Sequence, residues 1–210
     1  MNDAIPEAQL AILDAAEALF ATQGFAATTI KAIGQKADLN PALLYYYYSD
    51  KSALYHAVIE RRLGAFAHGM QGRLSADLAP LDAIERIVRG QVALFLEAPL
   101  FPRLVARELA DHAAAHATDA VQHHLVGLFQ RVSGIIAAGQ KDGTIRDDLD
   151  PKFAAISLIS QVIWFFVAEP VLSQLVNRKG LLSPEGLDRF ADHVIRFTRA
   201  ALVAPPSGTK

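Results

Sequence analysis

The chain has 210 residues, 52% of them hydrophobic and 20% charged, the composition of a folded rather than a disordered protein. Cysteine is absent, which excludes disulfides, thiolate zinc sites and thiol redox sensing and fits a reducing cytosol. The formal net charge of −2 removes bulk charge as a pointer to nucleic acid.

The first ten residues, MNDAIPEAQL, carry acids and a proline and so lack the apolar core of a secretion signal. Glu7 to Gln23 reads as a first helix, with Leu10, Leu13, Ala16 and Phe20 on one stripe. Pro6 suits its first turn, and Gly24 stands where a left-handed cap belongs. Thr28 and Thr29 open a short second helix through Ala37, with Ile30 and Ile33 inward. Asp38 and Leu39 turn the chain. Asn40-Pro41 is a strong start signal, because asparagine caps and proline fits the first helical position. A third short helix follows over Ala42 to Tyr48. Ser49-Asp50 caps a fourth, from Lys51 towards Gly69–Gly72.

The third helix holds four consecutive tyrosines, Tyr45 to Tyr48. Each helical step turns about 100°, so their phenols point nearly all the way round and no single core absorbs them. Two short helices joined by a tight turn and covered by a third form a helix-turn-helix, whose second helix enters a major groove.

Beyond the fourth helix, apolar residues keep helical spacing. Pro80, Pro99, Pro102, Pro151, Pro170 and Pro184 punctuate the chain, mostly at helix starts. The expected segments are about 81–97, 102–115, 118–141, 151–168, 170–178 and 184–203. The apolar run Ala154 to Ala168 is interrupted by Ser157, Ser160 and Gln161 and falls short of the roughly 20 residues of a spanning helix. The expectation is an all-α, cytoplasmic protein without a membrane partner. Its domains are a DNA-binding domain over 6–66, a larger helical domain over 67–204 and a disordered tail over 205–210. The boundary falls at the fourth helix, so the two domains share one rigid element.

The segment TTIKAIGQKADLNPALLYYYYSDKSAL resembles the DNA-binding domain of the tetracycline-repressor (TetR) family. The likeness covers about the first sixty positions: Thr28-Thr29, Ile33-Gly34, Ala37, Leu44, Tyr45, Tyr48 where phenylalanine is usual, Lys51 and Leu54. It implies that Thr29, Tyr45 and Lys51 meet phosphates, that Ala42, Leu43 and Tyr46 face base edges, and that Leu44 and Tyr48 pack inward. Thr28, Lys36, Asn40, Pro41 and Tyr47 complete the expected DNA-facing set. Asp38 stands where the family usually has glycine, and aspartate tolerates that left-handed turn. Through residue 65 the five cations (Lys31, Lys36, Lys51, Arg61, Arg62) face seven anions. Backbone contacts must then rest on neutral donors, helix N-termini and a few lysines.

The resemblance also implies an effector domain and a homodimer built by the last two long helices. Helix 151–168 is apolar on more than one side and must be covered on more than one side. Phe153, Ile156, Ile163, Phe190, Val194 and Phe197 are the expected interface. Aromatic residues Phe66, Phe95, Phe101, Trp164 and Phe165, with Arg103, Arg107, His112, His116 and Gln161 as polar handles, are the expected lining of an apolar effector pocket. His112 and His116 have metal-ligand spacing, yet no acidic partner is evident, and the reading is of solvated histidines near a loop with no metal and no cofactor. Motifs of enzymes (nucleophile elbow, phosphate-binding glycine loop, HExxH, paired carboxylates) are missing. The function expected is a ligand-responsive transcriptional repressor that binds operator DNA. The alternatives are a helical protein-interaction module or a small-molecule-processing enzyme.

Overall fold

A computed structural model describes residues 6–74, 78–177 and 179–203. Among them the chain forms ten α-helices and one π-helical turn, with a single isolated antiparallel bridge between Ile145 and Val203. The expected tail, 205–210, lies outside the described residues. The chain divides into two compact units, Met1–Ala65 with Pro99–His123, and Phe66–Ala98 with His124–Lys210. The first is thus larger than the 6–66 span read from sequence.

The first unit begins with α1 (Glu7–Ala27). Ile12, Leu13, Ala16 and Phe20 are buried, while Leu10, expected on the same stripe, is exposed. Gly24 breaks the helical path at φ +83° and ψ 169°, an extended conformation with positive φ that is open to glycine. Thr29 then caps α2 (Ile30–Ala37) by accepting a hydrogen bond from the Ala32 N–H at 3.1 Å. Asp38 takes the left-handed conformation expected of it, φ 54° and ψ 41°. The turn is tight at Gly34: a Cβ there would lie 3.0 Å from the Leu39 carbonyl oxygen. Asn40 Oδ1 accepts from the Ala42 N–H at 2.9 Å to start α3 (Pro41–Tyr47), and Tyr48 leaves the helix as its C-cap. Asp50 accepts from the Ala53 N–H at 2.8 Å at the start of α4 (Lys51–Arg73), which runs across the division between the units. The remaining long helix of this unit is α6 (Phe101–His112), followed by the short α7 (Thr118–Ala120).

Arg107 on α6 explains how this helix joins the unit. Its guanidinium donates to the Ala21 carbonyl at 3.1 Å and to the Thr22 carbonyl at 2.7 Å. These are late carbonyls of α1, left without regular partners where Gly24 interrupts the helix. The expected pocket residue Arg107 is therefore a helix cap.

The second unit contains α5 (Pro80–Glu97), α8 (Val126–Asp142), α9 (Pro151–Leu175) and α10 (Pro184–Leu202), and the π-helical turn Val121–Leu125, which leads into α8, straddles the division. Its core includes Ile84, Val88, Phe95, Ile136, Leu158, Val162, Leu187 and Val194. The turn before α9 follows the expected chemistry. Gly143 closes α8 at φ 80°, and Asp150 accepts from the Lys152 N–H at 2.7 Å. Two expectations are corrected. The segment 118–141 is not one helix but α7, the π-helical turn and α8. The segments 151–168 and 170–178 are one 25-residue helix that passes through Pro170. Proline forfeits one backbone bond but holds a helical φ, and the long apolar segment carries on through it. At this length α9 also has the apolarity of a membrane-crossing helix, as does α1, whereas the run counted from sequence stopped short. Composition of this kind also serves a helix covered by its own core on one side and a partner on another.

Candidate nucleic-acid interface and effector cavity

The four tyrosines separate as helical geometry requires. Tyr48 is buried, and its phenolic oxygen accepts from Gln9 Nε2 at 3.3 Å. Burial, ahead of any neighbour, pushes the Tyr48 phenol pKa up. Tyr45 and Tyr46 are 58% and 79% exposed, and such large aromatic surfaces are rarely left open without a partner. Tyr47 is half-buried and meets Tyr46 edge-on, with ring centroids 5.1 Å apart. Leu44 anchors the opposite face of α3 in the core. Exposed Ala42 and half-exposed Leu43 stand with the open tyrosines on this short helix.

The other expected DNA-facing residues divide. Thr29 is exposed, and while its oxygen caps α2 its hydroxyl proton remains available. Lys36 is exposed. Asn40 and Pro41 start α3. Thr28 is corrected: it is fully buried, and its hydroxyl donates to the Gly24 carbonyl at 2.7 Å. Lys51 also has an unforeseen role. Its ammonium donates to the Phe25 carbonyl at 2.8 Å and the Thr28 carbonyl at 2.9 Å, and it lies 4.3 Å from the Phe25 ring centroid. Two of its three donors tie α4 to the segment that enters α2, so one remains for an outside acceptor. Arg61 and Arg62 converge on buried Glu17, and Arg61 also reaches Asp14 at 2.8 Å. Of the five cations counted from sequence, only Lys31 and Lys36 are exposed without an ion pair among the described residues.

The second unit holds a cavity of about 300 Å³ that opens to the surface beside exposed Ile156 and Ser160. Phe66 and Met70 of α4, Ile87 of α5, Leu125, Leu128, Phe129 and Val132 around α8, and Ile156 and Ile159 of α9 supply its apolar wall. Two polar side chains join them, Gln91 and Ser160. Gln91 is buried at 2% exposure, with its Oε1 closed off from solvent.

The pocket expected from sequence is not brought together. Of its ten residues Phe66 alone lines this cavity. Phe95 stacks behind Phe66 at 5.5 Å and meets Phe166 edge-on at 5.2 Å, as core. Trp164 is exposed, Phe165 stacks on Phe190 at 3.6 Å, and Gln161 bonds to the carbonyl of Ser157 in its own helix. Phe101, Arg103, Arg107, His112 and His116 belong to the first unit. Aromatic content and helical spacing cannot separate a cavity wall from a core. The usable signal was Gln91, an amide set among Ile84, Ile87, Val88 and Phe95 on a buried face.

The expected dimer surface is also sorted. Phe153, Ile156 and Phe197 are exposed, together with Trp164, Val171 and Leu175 of α9. Ile163 and Phe190 are half-buried. Val194 is corrected: at 1% exposure it belongs to the protomer core.

The first unit thus contains a helix-turn-helix whose second helix, α3, presents open tyrosines and carries no cation, and the second is a helical unit with an apolar cavity. Both halves match known families. Residues 12–58 match the bacterial regulatory proteins of the tetR family, and residues 80–197 match the tetracyclin repressor-like C-terminal domain. The HTH-type transcriptional repressor NicS of Pseudomonas putida is 30% identical over 161 residues, 74% of this chain and 73% of NicS. A bacterial regulatory protein in the tetR family from Rhodococcus RHA1 superposes with a TM-score of 0.80 at 20% identity, over 96% of this chain and 100% of that one. AibR, solved with isovaleryl coenzyme A and operator DNA, superposes at 0.73 with 18% identity, over 91% and 97% of the two chains. The chain belongs to the TetR family and is a DNA-binding transcriptional regulator.

Proposed function

We propose that the protein is a homodimeric repressor released from its operator by a small, largely apolar effector bound in the cavity of the second unit. The observation that carries the effector reading is the apolar cavity itself, with the Gln91 side chain and Ser160 as the polar members of its lining. A ligand of this class places its hydrocarbon against Phe66, Ile87, Leu128 and Val132 and offers one hydrogen-bond donor to Gln91. AibR, a protein of the same fold, was solved with a short branched acyl thioester and operator DNA, which supports a search among short acyl and aromatic compounds.

On DNA, Thr29, Tyr45 and Lys36 reach phosphates, and Ala42, Leu43, Tyr46 and Tyr47 face the groove. Lys51 adds at most its one free donor. Two such helices related by a dimer axis read paired half-sites. The dimer forms through the exposed apolar side chains of α9 and α10, which a lone protomer leaves in water. Effector binding favours a state whose two recognition helices no longer match successive grooves.

The test is linkage. Operator fragments are selected from the source genome, and compounds suggested by the adjacent genes are titrated against free and operator-bound protein. Effector and operator must weaken each other by the same factor. A compound that binds both forms equally is not the inducer. Gln91→Leu should bind the same effector at least tenfold more weakly, because one hydrogen bond in an apolar site is worth about 1.4 kcal/mol or more.

A further inference from the structure

Three side chains near the end of α6 meet with nothing between them. Glu108 and His112 stand one helical turn apart on α6. After His112 the chain takes two consecutive left-handed alanines, Ala113 at φ 50° and Ala114 at φ 65°. Such residues cost roughly 1–2 kcal/mol each, and here they swing His116 back over the helix end. Its backbone N–H donates to Glu108 Oε1 at 2.7 Å, and its Nδ1 comes to 3.4 Å from Glu108 Oε2. His112 joins them with its ring centroid 4.5 Å from that of His116. One ligand atom from each residue lies within 4.8 Å of the others.

Glu108 is 3% exposed, yet its Oε2 has no hydrogen-bond partner. Neither has His112 Nε2 nor His116 Nδ1, both buried atoms. Three buried lone-pair groups that face one another and remain unsatisfied are costly. The sequence alone suggests solvated histidines with no acidic partner. The structure makes them half-buried and supplies Glu108 as that partner.

We infer that Glu108, His112 and His116 form a binding site for a divalent transition-metal ion of the zinc class. Two imidazoles and one carboxylate are a ligand set that zinc accepts, with a further position left open. In a tetrahedral site with bonds near 2.05 Å the ligand atoms lie about 3.3 Å apart, and the Glu108–His116 pair already stands close to that separation. The carboxylate is oriented by the His116 N–H, which donates to its other oxygen. Around the site, Phe25 meets the rings of His112 and His116 at 5.5 and 5.4 Å, and Tyr55 meets His116 at 5.2 Å. The ion therefore pins the end of α6 to α1 and α4 inside the DNA-binding unit. This goes beyond the effector and operator reading and does not depend on it.

The test uses full-length protein stripped with a chelator, then titrated with Zn²⁺ by calorimetry and with Co²⁺ by visible absorption. One ion per chain is expected, with the d–d bands of low-coordinate cobalt and an unfolding midpoint that rises with Zn²⁺. His112→Gln and His116→Gln should each weaken binding by more than the roughly 10–100-fold loss typical of an outer-shell change. Both side chains are half-buried, so these variants keep the test available if Glu108→Gln does not fold. His123→Gln/His124→Gln should bind as the parent does. Absence of stoichiometric binding to the parent chain, or affinity unchanged in His112→Gln and His116→Gln, overturns the site.

Discussion

Tyr45 and Lys51 were both read as phosphate contacts, yet the structure treats them differently. The Tyr45 phenol is open, whereas the Lys51 ammonium is spent largely on two carbonyls of its own unit. Tyr45→Phe should therefore weaken operator and scrambled DNA alike, by about 1 kcal/mol for one lost hydrogen bond. It should leave the salt dependence unchanged, since a neutral phenol releases no counterion. Lys51→Ala should act first on folding. Losing a charged donor from two carbonyls should lower unfolding free energy by about 2 kcal/mol in a urea titration, while the salt slope changes by less than the roughly 0.9 of a full phosphate contact. A Lys51→Ala protein of unchanged stability with a slope reduced by that full amount would restore the simpler reading.

The starts of α2, α3 and α4 are each set by one capping side chain, Thr29, Asn40 and Asp50, and the last of these gives a pH signature. The Asp50 carboxyl is held below its ordinary value chiefly by the hydrogen bond it accepts from the Ala53 N–H at the start of α4. A carboxyl whose folded pKa is depressed contributes stability above its unfolded pKa and loses it as pH falls through the folded one. Asp50→Ala should thus lower the melting temperature at neutral pH, and the gap from the parent should begin to narrow below about pH 4, the unfolded value of a carboxyl, and close only below the depressed folded value. At the other end of the chain, α10 presents both faces to test. Val194, 1% exposed, faces the core, and Phe197, 60% exposed, faces outward. Val194→Asp should fail to fold. Phe197→Asp should keep its helical circular dichroism and sediment as a monomer at micromolar concentration. A dimeric Phe197→Asp protein would move the interface away from this face of α10.

For the whole molecule, charge placement governs how DNA binding responds to salt. Arg61 and Arg62 are neutralised at Glu17, and Lys51 is engaged, which leaves Lys31 and Lys36 as exposed cations of the DNA-binding helices. Four such lysines in a dimer give a slope of log affinity against log salt on the order of −4 at most. Operator titrations across a salt series read this directly, and a much steeper slope would mean that cations outside α2 take part. Weak salt dependence also implies that neutral donors and the open tyrosines carry a large share of the affinity.

Local rules were legible in the sequence. Asn40-Pro41, Asp38, Thr29, Gly143 and Asp150 each act where their chemistry placed them, because a cap or turn depends on a few neighbouring residues alone. The helix-turn-helix and the family followed from such local signals in the first sixty positions. Tertiary structure decided which polar group meets which. Thr28 turned inward to Gly24, Lys51 turned to the Phe25 and Thr28 carbonyls, and Arg107 became a cap for α1. The residues expected to line a pocket are dispersed for the same reason. An aromatic at helical spacing satisfies a core and a cavity equally, and only the approach of α4, α5, α8 and α9 distinguishes Phe95 in the core from Phe66 on the wall. The Glu108, His112 and His116 cluster lies between these cases. Its spacing was present in the sequence, but its closure depends on the left-handed Ala113 and Ala114, a strained path that residue preferences argue against and that contacts across the fold must hold.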